Sequence, residues 1–261
     1  MSRINDLFAR PGPKLIPFIT AGYPQLGDTV PLVLAAEEGG AAMVEIGMPF
    51  SDPLADGPVI QAASQQAVEN GVNIGWILSQ VEKIREVSSI PLVLMGYCNP
   101  IFKYGREQFI TEAVAAGVDG LIVPDLPPEE GAAFFAKARR SGLATIFLVA
   151  PNTANDRITH LGERAGDLLY AVSILGVTGS AGSGNNMALV KYLKRVRKHS
   201  TVPFLVGFGI STGVEAQAMS QLANGVVVGS ALLRALEQAA DPVAECRKFV
   251  NDICVTIKDN E

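Results

Sequence analysis

Short apolar segments alternate with longer amphipathic stretches along the whole of this chain. The apolar segments are residues 14–20, 42–46, 91–95, 119–124, 144–149, 168–173, 203–207 and 225–228. Each is rich in Val, Ile, Leu or Phe, which is typical of a strand buried on both faces. The stretches between them, such as 75–87 and 129–142, carry apolar residues at helical spacing. Eight strands that alternate with helices predict parallel βα units, and eight such units can close into a (β/α)8 TIM barrel.

Glycines mark the points where several predicted helices give way to the next strand. Gly39 with Gly40, Gly117, Gly142 and Gly225 all lie just before an apolar segment. A glycine in this place commonly adopts the left-handed conformation that ends a helix. We therefore expect these glycines to cap helices and to begin tight turns into the following strands.

Two of the connections between predicted strands are longer than the others. They follow strand 2 and strand 6, and most of their extra residues come after the carboxyl end of the strand. Barrel enzymes keep their chemistry on that face. The 261 residues contain no linker or low-complexity segment. The sequence thus predicts one α/β domain over residues 1–261, with extra helical elements and long loops after strands 2 and 6.

Composition and charge indicate which classes of partner are excluded and which cellular compartment is expected. The net charge is −5, from 21 basic and 26 acidic residues, which argues against nucleic acid or an anionic membrane as the main partner. Cys98, Cys246 and Cys254 have no metal-type spacing, and an odd count of cysteines suits a reducing compartment. No apolar run approaches the ~18 residues that a membrane span needs, and the first residues lack a signal-peptide pattern. We expect a cytoplasmic protein without a metal ion.

Glycine-rich turns follow three neighbouring strands. Gly209 comes after strand 7, Gly229 and Ser230 come between strand 8 and a predicted helix, and residues 176–179 follow strand 6. Glycines let backbone N–H groups approach an anion, and a helix N-terminus adds a positive dipole end. One such turn alone is explained equally well by a tight turn. Adjacent turns after strands 7 and 8 predict a phosphate site.

A carboxylate stands inside the apolar strand of the segment VEIGMPFSDPLADGP, residues 44–58. Glu45 lies near the carboxyl end of strand 2, where apolar neighbours would raise its pKa and let it carry a proton near neutrality. Alternatively, its side chain reaches solvent or accepts from a backbone amide. Asp52 and Asp56 follow in the loop; beside Pro or Gly they are typical of turns, and for Asp52 we keep that interpretation. A second carboxylate converging on Glu45 would supply one acid and one anion.

The segment VEIGMPFSDPLADGPVIQ closely resembles the α subunit family of tryptophan synthase. Further segments with the same resemblance are 17–24, 93–100, 120–130, 170–179, 207–211 and 226–231, so it extends over nearly the whole chain. The resemblance implies a retro-aldol cleavage of indole-3-glycerol phosphate into indole and glyceraldehyde 3-phosphate. It implies no cofactor and no metal.

The same resemblance implies roles for individual residues. Glu45 would protonate C3 of the indole, and it or a water it orients would take the proton from the adjacent glycerol hydroxyl. Asp56 would stay ionised and hold the indole N–H. The implied indole wall is Phe18, Met95, Ile122 and Phe208, with Tyr97 and Tyr170 beside it. The implied phosphate ligands are Gly179, Gly209, Gly229 and Ser230, and Thr178 would help to order the Asp56 loop. From its strand pattern alone, Tyr170 fits either barrel core or substrate contact.

The resemblance also implies a partner. Asp52, Asn99 and Asp125 fall where members of the family meet a β subunit, in an α2β2 complex. One alternative is a stand-alone lyase that releases free indole, which co-purification with a β chain would exclude. Another is a different phosphate-binding barrel enzyme, such as a sugar-phosphate isomerase. A third is an inactive barrel that binds phosphate esters and regulates a partner, and the two carboxylates argue against it.

Overall fold

Eight parallel strands close into a barrel. The computed structural model describes residues 2–173, 183–207 and 209–258. The strands are β1 Leu15–Thr20, β2 Val44–Gly47, β3 Leu92–Met95, β4 Gly120–Ile122, β5 Ala144–Val149, β6 Leu169–Val172, β7 Phe204–Gly207 and β8 Gly225–Val228. They are hydrogen-bonded in chain order, and β8 pairs with β1 to complete the ring. Every strand overlaps one predicted apolar segment, so the predicted TIM-barrel fold is confirmed.

Helices surround the barrel and connect its strands. They are α1 Arg3–Ala9, α2 Thr29–Glu38, α3 Pro58–Glu69, α4 Ile74–Arg85, α5 Cys98–Tyr104, α6 Arg106–Ala116, α7 Ala132–Arg140, α8 Asn155–Ala165, α9 Ser183–His199, α10 Gly213–Ser220, α11 Ser230–Gln238 and α12 Pro242–Lys258. The predicted extra helical elements are present, because α1 precedes β1 and two helices lie between β2 and β3. None of the described helices combines the length and the hydrophobicity needed to cross a membrane.

The glycines before the strands serve two different purposes. Gly117 ends α6 in the left-handed conformation with φ 93°, and Gly40 and Gly142 also have positive φ, at 99° and 96°. The prediction was wrong for Gly225, which is the first residue of β8. A Cβ atom at Gly225 would lie 2.7 Å from Cδ1 of Ile16. Packing between strands therefore explains this glycine.

The side chains near the carboxyl ends of β1 to β4 converge inside the barrel. Register partners on neighbouring strands face the same side of a sheet. By the observed register, one interior face carries Phe18, Thr20, Glu45, Gly47, Met95 and Ile122. A Cβ atom at Gly47 would lie 2.4 Å from the Phe18 ring, which places that ring across the barrel mouth. The strands thus bring a single glutamate into an apolar interior.

A buried ion-pair cluster lies at the amino-terminal end of the barrel, opposite the end that carries Glu45. Asp119, 5% exposed at its side chain, accepts hydrogen bonds from Arg3 at 2.9 Å, from Arg85 at 2.8 Å and from the backbone N–H of Leu92 at 2.8 Å. Arg3 begins α1, whose Ile4 side chain is fully buried in the core. The cluster therefore fastens the N-terminal helix against the end of the barrel that is remote from Glu45.

Asp119→Asn should lower the free energy of unfolding by about 3 kcal/mol, because it leaves the largely buried Arg85 without its charge partner. Urea denaturation measures the loss. The matched control is Asp252→Asn, which removes an exposed ion pair with Lys248 and should change the free energy of unfolding much less. Equal losses in the two variants would contradict the importance of the buried cluster.

Candidate active site

Glu45 is a carboxyl group enclosed by apolar side chains. The residue is 1% exposed, and neither carboxyl oxygen has a hydrogen-bond partner among the described residues. Burial raises the pKa of Glu45 from its ordinary value of 4.5 to about 8, and the charge of Asp56 adds a smaller effect. The alternative interpretation, a side chain that reaches solvent or a backbone amide, is wrong. Glu45 holds its proton at neutral pH and can donate it.

Asp56 lies over the barrel mouth on the loop between β2 and α3. The Tyr97 hydroxyl donates to Oδ2 of Asp56 at 2.9 Å and accepts from the backbone N–H of Ala55 at 2.9 Å. Burial raises the pKa of Asp56, whereas the hydrogen bond from Tyr97 lowers it. Tyr97 therefore fixes the position of the second carboxylate and favours its ionised form.

The loop that carries Asp56 is anchored at its other end by Ser64 of α3. The Ser64 hydroxyl accepts from the backbone N–H of Phe50 at 2.8 Å and donates to the Phe50 carbonyl at 2.9 Å. The Phe50 ring packs on the Tyr97 ring with 5.5 Å between centroids. Gly57 precedes Pro58, which starts α3 at a position where its missing N–H costs nothing. The predicted long loop after β2 is thus present and ordered by its own sequence.

A small cavity lies between this loop and the interior face of the barrel. Its wall is apolar except for one carboxylate and three hydroxyls, and it consists of Phe18, Thr20, Gly47, Met48, Pro49, Asp56, Ile60, Ser64, Met95, Gly96 and Tyr97. Of the residues that the sequence nominated, Phe18, Met95, Tyr97 and Asp56 therefore come together. The cavity thus combines an apolar wall with a single described carboxylate.

Tyr170 and Ile122 are interior residues of the barrel. The register sets Ile122 beside Met95, and Ile122 is 1% exposed. A Cβ atom at Gly207 would lie 2.0 Å from the Tyr170 hydroxyl oxygen, so this side chain also points inward. Burial raises the pKa of Tyr170 well above 10, and the charges of Glu45 and Asp56 raise it further. Tyr170 is thus part of the barrel core and lies within the electrostatic reach of both carboxyl groups.

The turns after β7 and β8 differ in how their helices are capped. Gly209 has a left-handed φ of 81°. At α10, the Thr212 side chain accepts from the N–H of Glu215, and the Glu215 carboxylate accepts from the N–H of Thr212. At α11, Gly229 is the N-cap and no described side chain caps the helix, which begins at Ser230. The first N–H groups of α11 are therefore the ones available to an anion.

Three nominated residues and one nominated loop fall outside the part of the chain that the structure describes. Thr178 and Gly179 belong to the long segment after β6, and Phe208 follows β7 directly. Their predicted roles stay predictions.

Cys98 is the cysteine nearest to the site, and its surroundings do not favour metal binding. Its backbone N–H and its Sγ both donate to Asp125, with 3.1 Å between Sγ and Oδ2. Burial, followed by the contact with Asp125, raises the pKa of the Cys98 thiol to about 11. A metal-binding cysteine is deprotonated, whereas this one keeps its proton. Within the described ranges, no three His, Cys, Asp or Glu side chains are grouped as metal ligands.

A wider depression at the opposite end of the barrel does not resemble an active site. Arg10, Lys14 and Arg197 line it, together with uncharged described residues and no described carboxylate. The Lys14 ammonium already donates to the carbonyls of Arg10 at 2.8 Å and Gly12 at 2.7 Å. Both candidate carboxyl groups, Glu45 and Asp56, lie at the other end of the barrel.

Thr20 is a site residue that the sequence interpretation missed. Its side chain lines the cavity, is 2% exposed and has no hydrogen-bond partner among the described residues. The signal was present in the strand period, because Thr20 follows Phe18 by two residues and so shares its face. Ile60 and Ser64 of α3 were also missed, and only the folded loop brings them to the cavity.

Comparison with known proteins places these residues in a recognised family. The family model described as "Tryptophan synthase alpha chain" matches residues 4–260. Two relatives carry the same name: that of Geotalea daltonii is 46% identical over 242 residues and 91% of each chain, and that of Petrotoga mobilis is 41% identical over 258 residues and 99% of each. The crystal structure of tryptophan synthase subunit alpha from Legionella pneumophila is 34% identical, with a TM-score of 0.90 over 98% of both chains.

Glu45→Gln should stabilise the protein against unfolding, and increasingly so from pH 5 to pH 8. Between the unfolded pKa of 4.5 and the folded value of about 8, the folded wild type binds one proton more than the unfolded chain. Its free energy of unfolding therefore falls by about 1.4 kcal/mol per pH unit from this group, and the loss is complete above pH 8. Glutamine does not titrate, so the free energy of unfolding of the variant does not fall with pH for this reason.

Urea denaturation of both proteins across this pH range measures the difference. Glu82→Gln, the same substitution on the exposed surface of α4, controls for the change of residue type. A Glu45→Gln variant that loses stability with pH in parallel with the wild type would contradict the burial argument.

Proposed function

The chain belongs to the tryptophan synthase alpha chain family, and from this premise we propose how its residues cleave indole-3-glycerol phosphate into indole and glyceraldehyde 3-phosphate. The reaction is the alpha reaction of tryptophan biosynthesis, so the protein is a carbon–carbon lyase. The observation that carries the residue assignment is the buried, protonated Glu45 on the same interior face as Phe18, Gly47 and Met95, which line the cavity that holds Asp56. The alternative of a stand-alone lyase is not favoured, because the relatives are named as alpha chains.

Glu45 is the acid of the proposed reaction. It donates its proton to C3 of the indole, which makes the ring cationic and turns C3 into a leaving group. The glycerol hydroxyl beside C3 then loses its proton to the Glu45 carboxylate or to a water that Glu45 orients. The C–C bond breaks, its electron pair restores the aromatic ring, and the hydroxyl carbon becomes the aldehyde. A pKa of about 8 suits this role, because such a group both gives and takes a proton near neutrality.

Asp56 is the anion that stabilises the cationic ring. Ionised Asp56 accepts the indole N–H, whose acidity rises when C3 is protonated, so the hydrogen bond strengthens as the reaction proceeds. The hydrogen bond from Tyr97 supports the ionised form against the effect of burial. Two carboxyl groups in unlike surroundings thus take two roles.

The apolar interior holds the indole, and the far side of the mouth holds the phosphate. Phe18, Met95 and Ile122 form the wall, with Tyr97 and Tyr170 beside the ring; these residues are interior and buried. Phe208 is proposed as a further residue of the indole wall on the resemblance alone.

The phosphate is proposed to lie at the uncapped N-terminus of α11, where the backbone of Gly229 and Ser230 meets it, with Gly209 opposite. Gly179 and Thr178 belong to the same proposal on the resemblance alone. Thr178 would help to hold the Asp56 loop closed over the substrate.

A β chain is the proposed partner, bound on the face that carries the active site. Asp52, Asn99 and Asp125 are exposed on this face, after β2, β3 and β4. Leu54, between Asp52 and Asp56, is 92% exposed, and an exposed large apolar side chain beside a site marks a contact surface. A partner seated here would receive indole directly, in an α2β2 complex.

The remaining expectations stay predictions. They are the single domain over residues 1–261, the cytoplasmic location, the absence of a cofactor, and the absence of a nucleic-acid or membrane partner.

Two other functions were considered from the sequence, a sugar-phosphate isomerase and an inactive phosphate-binding regulator. Both predict that no indole is released. A product assay with indole-3-glycerol phosphate separates them from the lyase.

Glu45→Gln should lower kcat for indole release by at least about 100-fold with little change in KM, because the amide keeps the shape but cannot transfer a proton. For the wild type, kcat/KM should fall as the pH rises through about 8, where Glu45 loses its proton. Steady-state assays of indole from pH 5 to pH 10 measure both effects. Glu82→Gln, on the exposed surface, should retain wild-type turnover. A Glu45→Gln variant within tenfold of the wild type would remove Glu45 from the acid role.

Leu54→Asp should weaken binding of a β chain by at least about tenfold, because it places a charge at an apolar contact. Val87→Asp is the matched control: Val87 is 70% exposed, but it lies between α4 and β3 at the opposite end of the barrel. Titration with a purified β chain, followed by sedimentation, gives both affinities. Equal weakening in the two variants would place the partner elsewhere.

A further inference from the structure

The Thr20 hydroxyl is a polar group that the proposed reaction does not yet use. Thr20 is 2% exposed and lines the cavity that holds Asp56, and its hydroxyl has no hydrogen-bond partner among the described residues. A buried hydroxyl in this condition is uncommon in folded proteins. The other two hydroxyls of the cavity wall, those of Ser64 and Tyr97, both have partners. Among the three hydroxyls of the cavity wall, only that of Thr20 has no described hydrogen-bond partner.

Asp56 is the carboxylate that needs such a donor. Tyr97 is the one described side chain that donates to it, through Oδ2, whereas a carboxylate has room for several donors. The titratable groups that face Asp56 are Glu45 on β2, Tyr97 after β3 and Tyr170 on β6. None of the described residues that line the cavity is basic. Hydroxyl groups are thus the available means of keeping Asp56 ionised in apolar surroundings.

The fold brings Thr20 under the loop that carries Asp56. Thr20 is the last residue of β1 and pairs with Gly47, the last residue of β2. The loop leaves the barrel directly after Gly47 and returns across the mouth to Asp56, which lines the same cavity as Thr20. The Phe18 ring fills the space that a side chain at Gly47 would occupy, so Phe18 and Thr20 of β1 both line the cavity below this loop.

We propose that Thr20 is a positioning residue whose hydroxyl donates to the Asp56 carboxylate through one water, and so holds Asp56 as the anion that receives the indole N–H. The inference rests on the role proposed above for Asp56. When the hydroxyl is lost, one of the two donors that oppose the effect of burial disappears. Asp56 then takes up a proton at a higher pH and can no longer accept from the indole nitrogen.

The test is Thr20→Val, which keeps the shape of the side chain and removes the hydroxyl. At pH 7 it should lower kcat/KM by about tenfold, as expected for a lost hydrogen bond to a charged group. Its acidic limb in the kcat/KM profile should move to higher pH by about one unit, because a donor to the ionised form has gone. Thr20→Ser restores the hydroxyl and should return both values towards those of the wild type.

Thr145→Val is the matched control. Thr145 is also fully buried and its hydroxyl also has no partner among the described residues, but it lies on β5 and does not line the cavity. It should leave the acidic limb where it is in the wild type. If Thr20→Val fails to fold, the same test compares Thr20→Ala, which lacks the hydroxyl, with Thr20→Ser, which retains it.

Glu45→Gln and Asp56→Asn separate this inference from the proposed function. If either retains wild-type turnover, the proposed roles of the carboxyl groups fail. If both are inactive while Thr20→Val keeps the wild-type pH profile, only the role of Thr20 is overturned. A Thr20→Val variant with lower activity, no shift of the limb and no recovery in Thr20→Ser would also overturn it, since that pattern indicates packing alone.

Discussion

Burial of the Glu45 carboxyl group without a described hydrogen-bond partner is the constraint on which the rest of the active site depends. A carboxylate in that place would lose its hydration and gain nothing, so the group stays neutral and its pKa rises to about 8. The closed barrel imposes this state, because register partners on β1 and β3 enclose Glu45 on both sides. A carboxyl group that keeps its proton at neutral pH is thus a product of the strand packing.

The second carboxyl group differs from Glu45 in having a hydrogen-bond donor. Asp56 lies on a loop, where burial raises its pKa and the hydrogen bond from Tyr97 lowers it. Its negative charge also helps to keep the proton on Glu45. One residue in the strand and one in the following loop therefore divide the proposed work of acid and anion, although only eleven positions separate them in the sequence.

Stability and chemistry occupy opposite ends of the barrel. At the amino-terminal end, Asp119 accepts from Arg3, Arg85 and a backbone N–H, so its buried charge is well compensated. Near the carboxyl ends of β1 and β2, Thr20 and Glu45 are buried without described partners, as is Thr145 near the start of β5. Unsatisfied polar groups cost stability, and proteins retain them most often where a ligand or a reaction makes use of them.

The sequence by itself determined the eight strands and the barrel, and it singled out Glu45 and Asp56 as candidate site residues, because these follow from local patterns: apolar runs of strand length, and a motif specific to one family. It could not decide whether Glu45 was solvated, what Gly225 was for, or that Thr20, Tyr97 and Ser64 line one cavity with Asp56. Those facts depend on which side chains from distant segments come within a few ångströms of each other. Only the tertiary structure decided them, because desolvation and hydrogen bonding are properties of the surroundings that the closed barrel creates.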